Sequence, residues 1–152
     1  FIKRILEAYN IPVIQVEGYE ADDVIGTLSH KAEKQGFLTY MVTGDKDFGQ
    51  LVTEKVKILN PGKEELLGIE EVKTKYGIED PLQVIDLLGL MGDSADNIPG
   101  CPGVGPKTAQ KLIAEHGSIE GVIEHVEDLK GSLKIKVSEN IEQINYNHVF
   151  IR

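Results

Sequence analysis

The stretch "FLTYMVTGDKDFGQLV", residues 37–52, says most about the fold, because a strand pattern ends in a charged turn that leads into a short helix. The apolar and β-branched residues up to Thr43 predict a strand, and Asp45 and Asp47 follow at its carboxyl end. The run "KVKILNPG" at 55–62 predicts the next strand, closed by a proline and a glycine. Two strands joined in this way favour a parallel crossover.

Upstream, "IPVIQVEG" at 11–18 predicts a further strand, and apolar residues at helical spacing over 21–36 predict the helix after it. The resulting order of strand, helix, strand, short helix and strand predicts an α/β core with a parallel sheet. The opening "FIKRILEAY" has helical spacing with neither a start methionine nor a cap before it, so we expect a fragment cut inside a helix.

From about residue 70 the pattern becomes helical, in segments that each end at or near a glycine, such as "PLQVIDLLGLMG" and "PKTAQKLIAEHG". We therefore expect residues 1–69 to form the C-terminal part of an α/β core and residues 70–152 to form an all-helical region. The segment 60–68 between them is expected to be a mobile loop.

Composition excludes several function classes. With 25 acidic and 16 basic residues the chain has a net charge of -9, which argues against binding nucleic acid through bulk charge. No apolar run approaches the roughly 18 residues that a membrane span needs. The single cysteine, Cys101, cannot form an internal disulfide, which fits a cytoplasmic location, and a monomer is the default expectation.

Three acidic clusters stand out, in "YEADD", "TGDKD" and "GDSADN". Each alone is explained by a helix dipole or a capped turn. Together they repel, by roughly 3 kcal/mol for each pair about 6 Å apart at an effective dielectric near 20. Hard Mg²⁺ or Mn²⁺ would offset that repulsion, because these ions prefer oxygen ligands. The candidate ligands are Glu20, Asp22, Asp23, Asp45, Asp47, Asp93 and Asp96.

A glycine-rich hairpin, "NIPGCPGVGPKTAQKLI", follows the third cluster. Its backbone N–H groups at a helix N-terminus suit a phosphate, to which a lysine adds charge and a threonine adds a hydrogen bond. A plain interhelical turn is the ordinary alternative, and the glycine spacing does not fit a Walker loop. The candidate DNA-backbone residues are Gly103, Val104, Gly105, Lys107 and Thr108.

In order and spacing, "YEADD", "TGDKD", "GLMGDSADNIPG" and "GVGPKTAQKL" resemble the 5′-nuclease domains of bacterial DNA polymerase I, members of the flap endonuclease family. The resemblance runs from about residue 11 to 126. It implies a parallel-sheet α/β nuclease core with a helix-hairpin-helix region at about 92–126. It also implies two divalent ions, the first held by the "YEADD" acids and the second by the other two clusters. A monovalent cation at the hairpin is compatible with it.

The resemblance further implies metal-dependent hydrolysis of DNA with 5′ flaps, nicks or 5′ ends, in primer removal and repair. Family members supply more metal-binding aspartates and a basic arch from sequence that precedes the start of this chain. Two alternatives stay open: a DNA-binding fragment without catalysis, and a phosphatase of the haloacid dehalogenase type. The second expects a nucleophilic aspartate at Asp45 and leaves "YEADD" and the hairpin unexplained.

Overall fold

The computed structural model describes residues 1–151, a small sheet region followed by a helical region. The helices are α1 (Ile2–Ala8), α2 (Ala21–Lys34), α3 (Ile69–Tyr76), α4 (Gln83–Met91), α5 (Pro106–His116), α6 (Ile119–Glu124), α7 (Gly131–Glu139) and α8 (Ile141–Ile151). The strands are β1 (Thr39–Val42), β2 (Val56–Asn60), β3 (Glu65–Leu67), β4 (Gly92–Asp93) and β5 (Ile98–Pro99). Single 3₁₀ helices cover Asp47–Leu51 and Val126–Asp128.

The parallel pair that the sequence predicts is present. β1 and β2 run parallel with Met41 beside Ile58, and the 3₁₀ helix Asp47–Leu51 lies in the connection between them. Both side chains are buried in the core. The predicted α/β fold class, followed by a helical region, is therefore confirmed. Within the described residues the helical region also contains one short strand pair, β4–β5.

The loop expected over 60–68 is instead a hairpin, because β3 pairs antiparallel with β2. The side chain of buried Asn60 accepts hydrogen bonds from the backbone N–H groups of Gly62 at 3.0 Å and Lys63 at 3.2 Å. Such an asparagine side chain holds a turn by replacing backbone acceptors. The sheet is consequently mixed, and the expectation that residues 60–68 form only a loop was wrong.

The strand predicted over 11–18 is absent, so this prediction was also wrong. Residues 11–16 have no regular secondary structure. Within residues 1–151 the sheet order is β1-β2-β3, which leaves one edge of β1 without a partner strand. Strand propensity reflects packing against neighbouring strands, and an isolated segment gains none of it. The apolar side chains of this segment are accordingly about half exposed, at 49%, 46%, 57% and 45% for Ile11, Val13, Ile14 and Val16.

Helix α4 is the centre of the core, since nearly all of its residues are buried. A helix that is apolar on every side needs neighbours all round. It packs against α5 and α8, and a Cβ atom at Gly89 would lie 2.6 Å from the buried side chain of Ile119, so a larger residue here would force Ile119 to move. The last residues of α4 lead directly into the third acidic cluster, which is thereby fixed to the core.

Helix α8 is attached to α4 by polar contacts. The fully buried Asn147 side chain donates hydrogen bonds to the carbonyls of Gly89 at 3.1 Å and Pro99 at 2.7 Å. His148 lies between Asp86 and Glu120, at 3.6 and 3.4 Å. These contacts place the end of α8 beside the candidate metal ligands predicted from the sequence. Among the described residues, no helix has the length and apolar character that crossing a membrane requires.

Candidate metal centre and phosphate-binding hairpin

An open cleft of about 530 Å³ lies between the start of α2, the 3₁₀ helix Asp47–Leu51 and the end of α8. The backbone carbonyl of Ile151 accepts a hydrogen bond from Gln50 at 3.2 Å, which joins two of these walls. Five of the seven candidate carboxylates line the cleft, namely Glu20, Asp22, Asp23, Asp47 and Asp96.

The first cluster stands at the N-terminus of α2. Glu20 is the N-cap residue, and its backbone N–H donates to Asp23 Oδ2 at 3.2 Å, so Asp23 also helps to cap the helix. Burial raises the pKa of Asp22, and the negative charges of Asp45, Glu20 and Asp96 raise it further. Asp22 therefore lies within electrostatic reach of the other two clusters.

The second cluster follows β1. Asp45 Oδ1 accepts the backbone N–H of Asp47 at 3.1 Å, and this bond fixes the turn into the 3₁₀ helix. Burial, with the charges of Asp45 and Asp93, raises the pKa of Asp47 to about 6. Its Oδ1 atom is buried and has no hydrogen-bond partner within the described residues. Asp47 thus presents a carboxylate oxygen that the protein itself leaves unsatisfied.

The third cluster begins in β4. The Asp93 side chain is 2% exposed, and its two oxygens accept from Ala95 N at 2.8 Å and from Lys46 Nζ at 2.7 Å. Burial acts to raise the pKa of Asp93, but the hydrogen bonds from Lys46 and Ala95 outweigh it and lower that pKa. Asp96 follows in an exposed turn. In this pair, Asp93 is therefore fixed by its contacts and Asp96 is open to solvent.

The second and third clusters meet at one point. Asp47, Asp93 and Asp96 each offer an oxygen, and these three atoms lie within 4.8 Å of one another. They form an all-oxygen set without histidine or cysteine, which suits a hard divalent cation better than zinc. The unsatisfied Oδ1 of Asp47 is the observation that decides the fit, because a buried polar atom without a partner is costly unless a ligand satisfies it.

Sequence reasoning missed Lys46, the residue between Asp45 and Asp47. Its ammonium contacts Asp93, which is distant in the chain. The sequence did contain a signal for this residue, because a lysine within an acidic, metal-binding motif places a positive charge where a metal ion is expected. Only the tertiary contact shows which carboxylate it neutralises.

The hairpin leads from β5 into α5. Gly103 has a φ of 77°, and Gly105 is the N-cap of α5 ahead of Pro106. Gly103, Gly105 and Lys107 are exposed, and within residues 1–151 the N–H groups of both glycines lack an acceptor. Free N–H groups at a helix start suit a phosphate.

The other two hairpin residues have a different setting. The Val104 side chain is 5% exposed and its N–H donates to Cys101 O at 3.0 Å, so Val104 anchors the turn to the core. Thr108 is half-buried in the first turn of α5. A further residue that sequence reasoning missed is Lys136 of α7, whose ammonium lies so close to Gly103 that a Cβ atom at this position would clash with it. The structure thus adds a second ammonium group to the hairpin.

Comparisons with known proteins agree across the chain. Residues 1–77 match the family model for the 5′-3′ exonuclease N-terminal resolvase-like domain, and residues 79–152 match that for the 5′-3′ exonuclease C-terminal SAM fold. DNA polymerase I of Bacillus subtilis is 46% identical over 147 residues, which cover 94% of this chain and 16% of that protein. The 5′-3′ exonuclease of Aquifex aeolicus is 40% identical over 141 residues, covering 93% of this chain and 48% of that protein.

The fold has solved counterparts. T5 5′-exonuclease with bound zinc superposes with a TM-score of 0.87 at 23% identity, over 97% of this chain and 55% of that one. The bacteriophage T5 flap endonuclease in a pseudo-enzyme-product complex with DNA and metal ions gives the same TM-score, identity and coverage. At this identity the likeness concerns the fold. The chain spans about half the length of the exonuclease relatives and 16% of the length of the Bacillus subtilis polymerase.

Proposed function

Because the chain belongs to the 5′-3′ exonuclease family, we propose that it carries the catalytic acids and the DNA-binding hairpin of a structure-specific 5′ nuclease. The reaction is the hydrolysis of DNA phosphodiesters at 5′ flaps, nicks or 5′ ends. The parent protein is a bacterial DNA polymerase I or a free-standing exonuclease, acting in primer removal and repair. We further propose a monomer, with the metal-binding part of the core at 1–69 and the helical part at 70–152.

One observation carries this function. Three carboxylates from two distant segments converge within 4.8 Å, and one of their oxygens is buried without a partner. Across the cleft the acids of α2 add a second group. We assign two divalent ions, Mg²⁺ or Mn²⁺, one to each group. The first group is Glu20, Asp22 and Asp23, and the second is Asp45, Asp47, Asp93 and Asp96.

When bound, such ions supply an activated water and stabilise charge on the attacking and leaving oxygens. The protein's own residues position the ions and the DNA. Asp45 holds the turn that presents Asp47, and Asp93 is fixed by Ala95. The hairpin residues Gly103, Gly105 and Lys107 contact the sugar-phosphate backbone and read no base sequence. Backbone carbonyls of the same turn are the place for a monovalent cation.

A DNA-binding fragment without catalysis is the second candidate. Two observations favour it: the cleft is open to solvent, and the apolar segment 11–16 is half exposed. The family matches do not support the haloacid dehalogenase interpretation. That interpretation needs Asp45 as a nucleophile, but one oxygen of Asp45 already accepts the N–H of Asp47.

The test is cleavage of a 5′-labelled flap DNA in Mg²⁺ and in Mn²⁺, with binding to the same DNA measured in parallel. The pair Asp45→Asn and Asp47→Asn is compared with Asp128→Asn, the same chemical change at an exposed position in the helical part. We expect the double variant to lose cleavage while keeping DNA binding, and Asp128→Asn to keep both. Binding without cleavage by the unchanged chain supports the second candidate. Cleavage by the double variant contradicts the assignment.

A further inference from the structure

We propose that Lys46 is a displaceable counter-ion of the metal centre: it holds Asp93 while the neighbouring divalent ion is absent, and it competes with that ion for the same carboxylate. This inference rests on the proposed metal-dependent function and concerns how the same site takes up its ions. Lys46 is thus a positioning residue, because it acts through Asp93.

The contact itself defines the competition. Lys46 Nζ lies 2.7 Å from Asp93 Oδ2, while Asp93 Oδ1 accepts the N–H of Ala95 at 2.8 Å. A divalent ion that takes Oδ2 as a ligand would lie only a few ångströms from this ammonium, and the repulsion between the two cations favours outward movement of the lysine. The Asp93 side chain is almost fully buried and keeps its place, whereas the Lys46 side chain is 41% exposed and can turn outward.

Charge explains why a lysine is placed here. Three ionised carboxylates within 4.8 Å repel one another strongly when no metal is bound. The positive charge of Lys46 lowers the pKa of Asp93 and opposes the rise in the pKa of Asp47. Within residues 1–151, no other lysine or arginine forms an ion pair with any of the seven candidate ligands. Lys46 therefore supplies this carboxylate cluster with a positive charge from the protein itself.

The two ends of Lys46 are held differently. Its backbone carbonyl accepts a hydrogen bond from the hydroxyl of half-buried Tyr76 at 3.2 Å, which fixes the main chain. Its side chain then reaches Asp93 in the segment matched by the C-terminal family model, whereas Lys46 lies in the segment matched by the N-terminal one. The ion pair therefore connects the two matched segments at the metal centre. Removing the ammonium alone would leave the buried Asp93 carboxylate without a cation, whereas a divalent ion that replaces it keeps that charge compensated.

The experiment measures Mn²⁺ binding to the metal-stripped 152-residue chain by calorimetry and by the electron spin resonance signal of free Mn²⁺. Lys46→Met removes the charge and keeps the length of the side chain, and Lys46→Arg keeps the charge. Lys130→Met is the control, since Lys130 is exposed at the start of α7. We expect Lys46→Met to bind the more weakly held of the two Mn²⁺ ions about tenfold more tightly. This is the order of magnitude expected when one unit charge is removed beside an ion in a partly solvated site. Lys46→Arg and Lys130→Met should stay within about twofold of the unchanged chain.

Melting curves in EDTA and in Mg²⁺ separate competition from ordinary structural support. Competition predicts that Lys46→Met melts lower than the unchanged chain in EDTA and gains more from Mg²⁺. A purely structural contact predicts the same loss in both buffers and an unchanged Mn²⁺ affinity, which would overturn the inference. Weaker Mn²⁺ binding by Lys46→Met would overturn it as well. If the unchanged chain and Lys46→Met both fail to bind Mn²⁺, the proposed metal centre fails first, and Lys46 has no ion with which to compete.

Discussion

Asp47→Asn should stabilise the metal-free protein and deprive the metal-bound protein of part of its stability. The ionised Asp47 is unfavourable in the folded chain, because burial and the charges of Asp45 and Asp93 raise its pKa from 3.8 to about 6. The folded state therefore holds an extra proton between these values, and stability falls as the pH rises through that window. Above about pH 6 the full penalty is present.

The size of the effect follows from the pKa. A rise of about two units corresponds to roughly 3 kcal/mol at 1.36 kcal/mol per unit. Asp47 is only half-buried, and solvent screening reduces this figure to about 1 kcal/mol. For a chain of this length, a change of about 1 kcal/mol moves Tm by roughly 2–4 °C. Asparagine removes the charge and keeps the shape, so it should recover that amount at pH 8.

The assay is thermal unfolding of both proteins at pH 8 and pH 5, each in EDTA and in Mg²⁺, with Asp128→Asn as the matched control. In EDTA at pH 8 we expect Asp47→Asn to melt higher, and the difference should shrink toward pH 5. In Mg²⁺ the unchanged chain should gain stability by ion binding, and the variant should gain less. The difference in Tm between the two proteins should therefore become smaller or change sign. An unchanged or lower Tm for Asp47→Asn in EDTA at pH 8 would show that the Asp47 charge does not destabilise the folded chain. A gain that is equal at both pH values would show that ionisation is not its cause.

Three further predictions concern the hairpin and the core. Lys107→Ala should weaken DNA binding equally across sequences and reduce the salt slope of the affinity by about one, and a loss confined to certain sequences in a titration series would contradict backbone contact. Gly103→Ala and Gly131→Ala both place alanine at a positive φ and should each cost about 1 kcal/mol in denaturant unfolding, but only the first meets Lys136. Only Gly103→Ala should therefore also weaken DNA binding, and equal losses of affinity would argue against a role for the hairpin geometry. Asn147→Ala leaves the carbonyls of Gly89 and Pro99 without their donor and should cost about 2–3 kcal/mol in urea unfolding, whereas a cost below about 0.5 kcal/mol would show that α8 is held by apolar packing alone.

Local patterns were enough to predict the elements whose stability is local or whose burial is complete. The parallel pair β1–β2 and the buried helix α4 follow from runs of apolar residues bounded by glycine and proline. Patterns failed where a partner decides. The segment 11–16 has strand propensity and forms no strand, while β3 forms because the side chain of Asn60 fixes a turn. Neither outcome is encoded in the periodicity of the segment concerned.

The identity and order of the acidic motifs and of the glycine-rich hairpin already limit what this chain can bind, before any fold is known. Which of these groups act together depends on the folded chain. It placed Asp47 against Asp93 and Asp96, left one buried oxygen unsatisfied, and put the ammonium of Lys46 on Asp93 and that of Lys136 on Gly103. The physical reason is that metal binding and repulsion depend on distances of a few ångströms between residues far apart in the chain, and such distances are set by core packing.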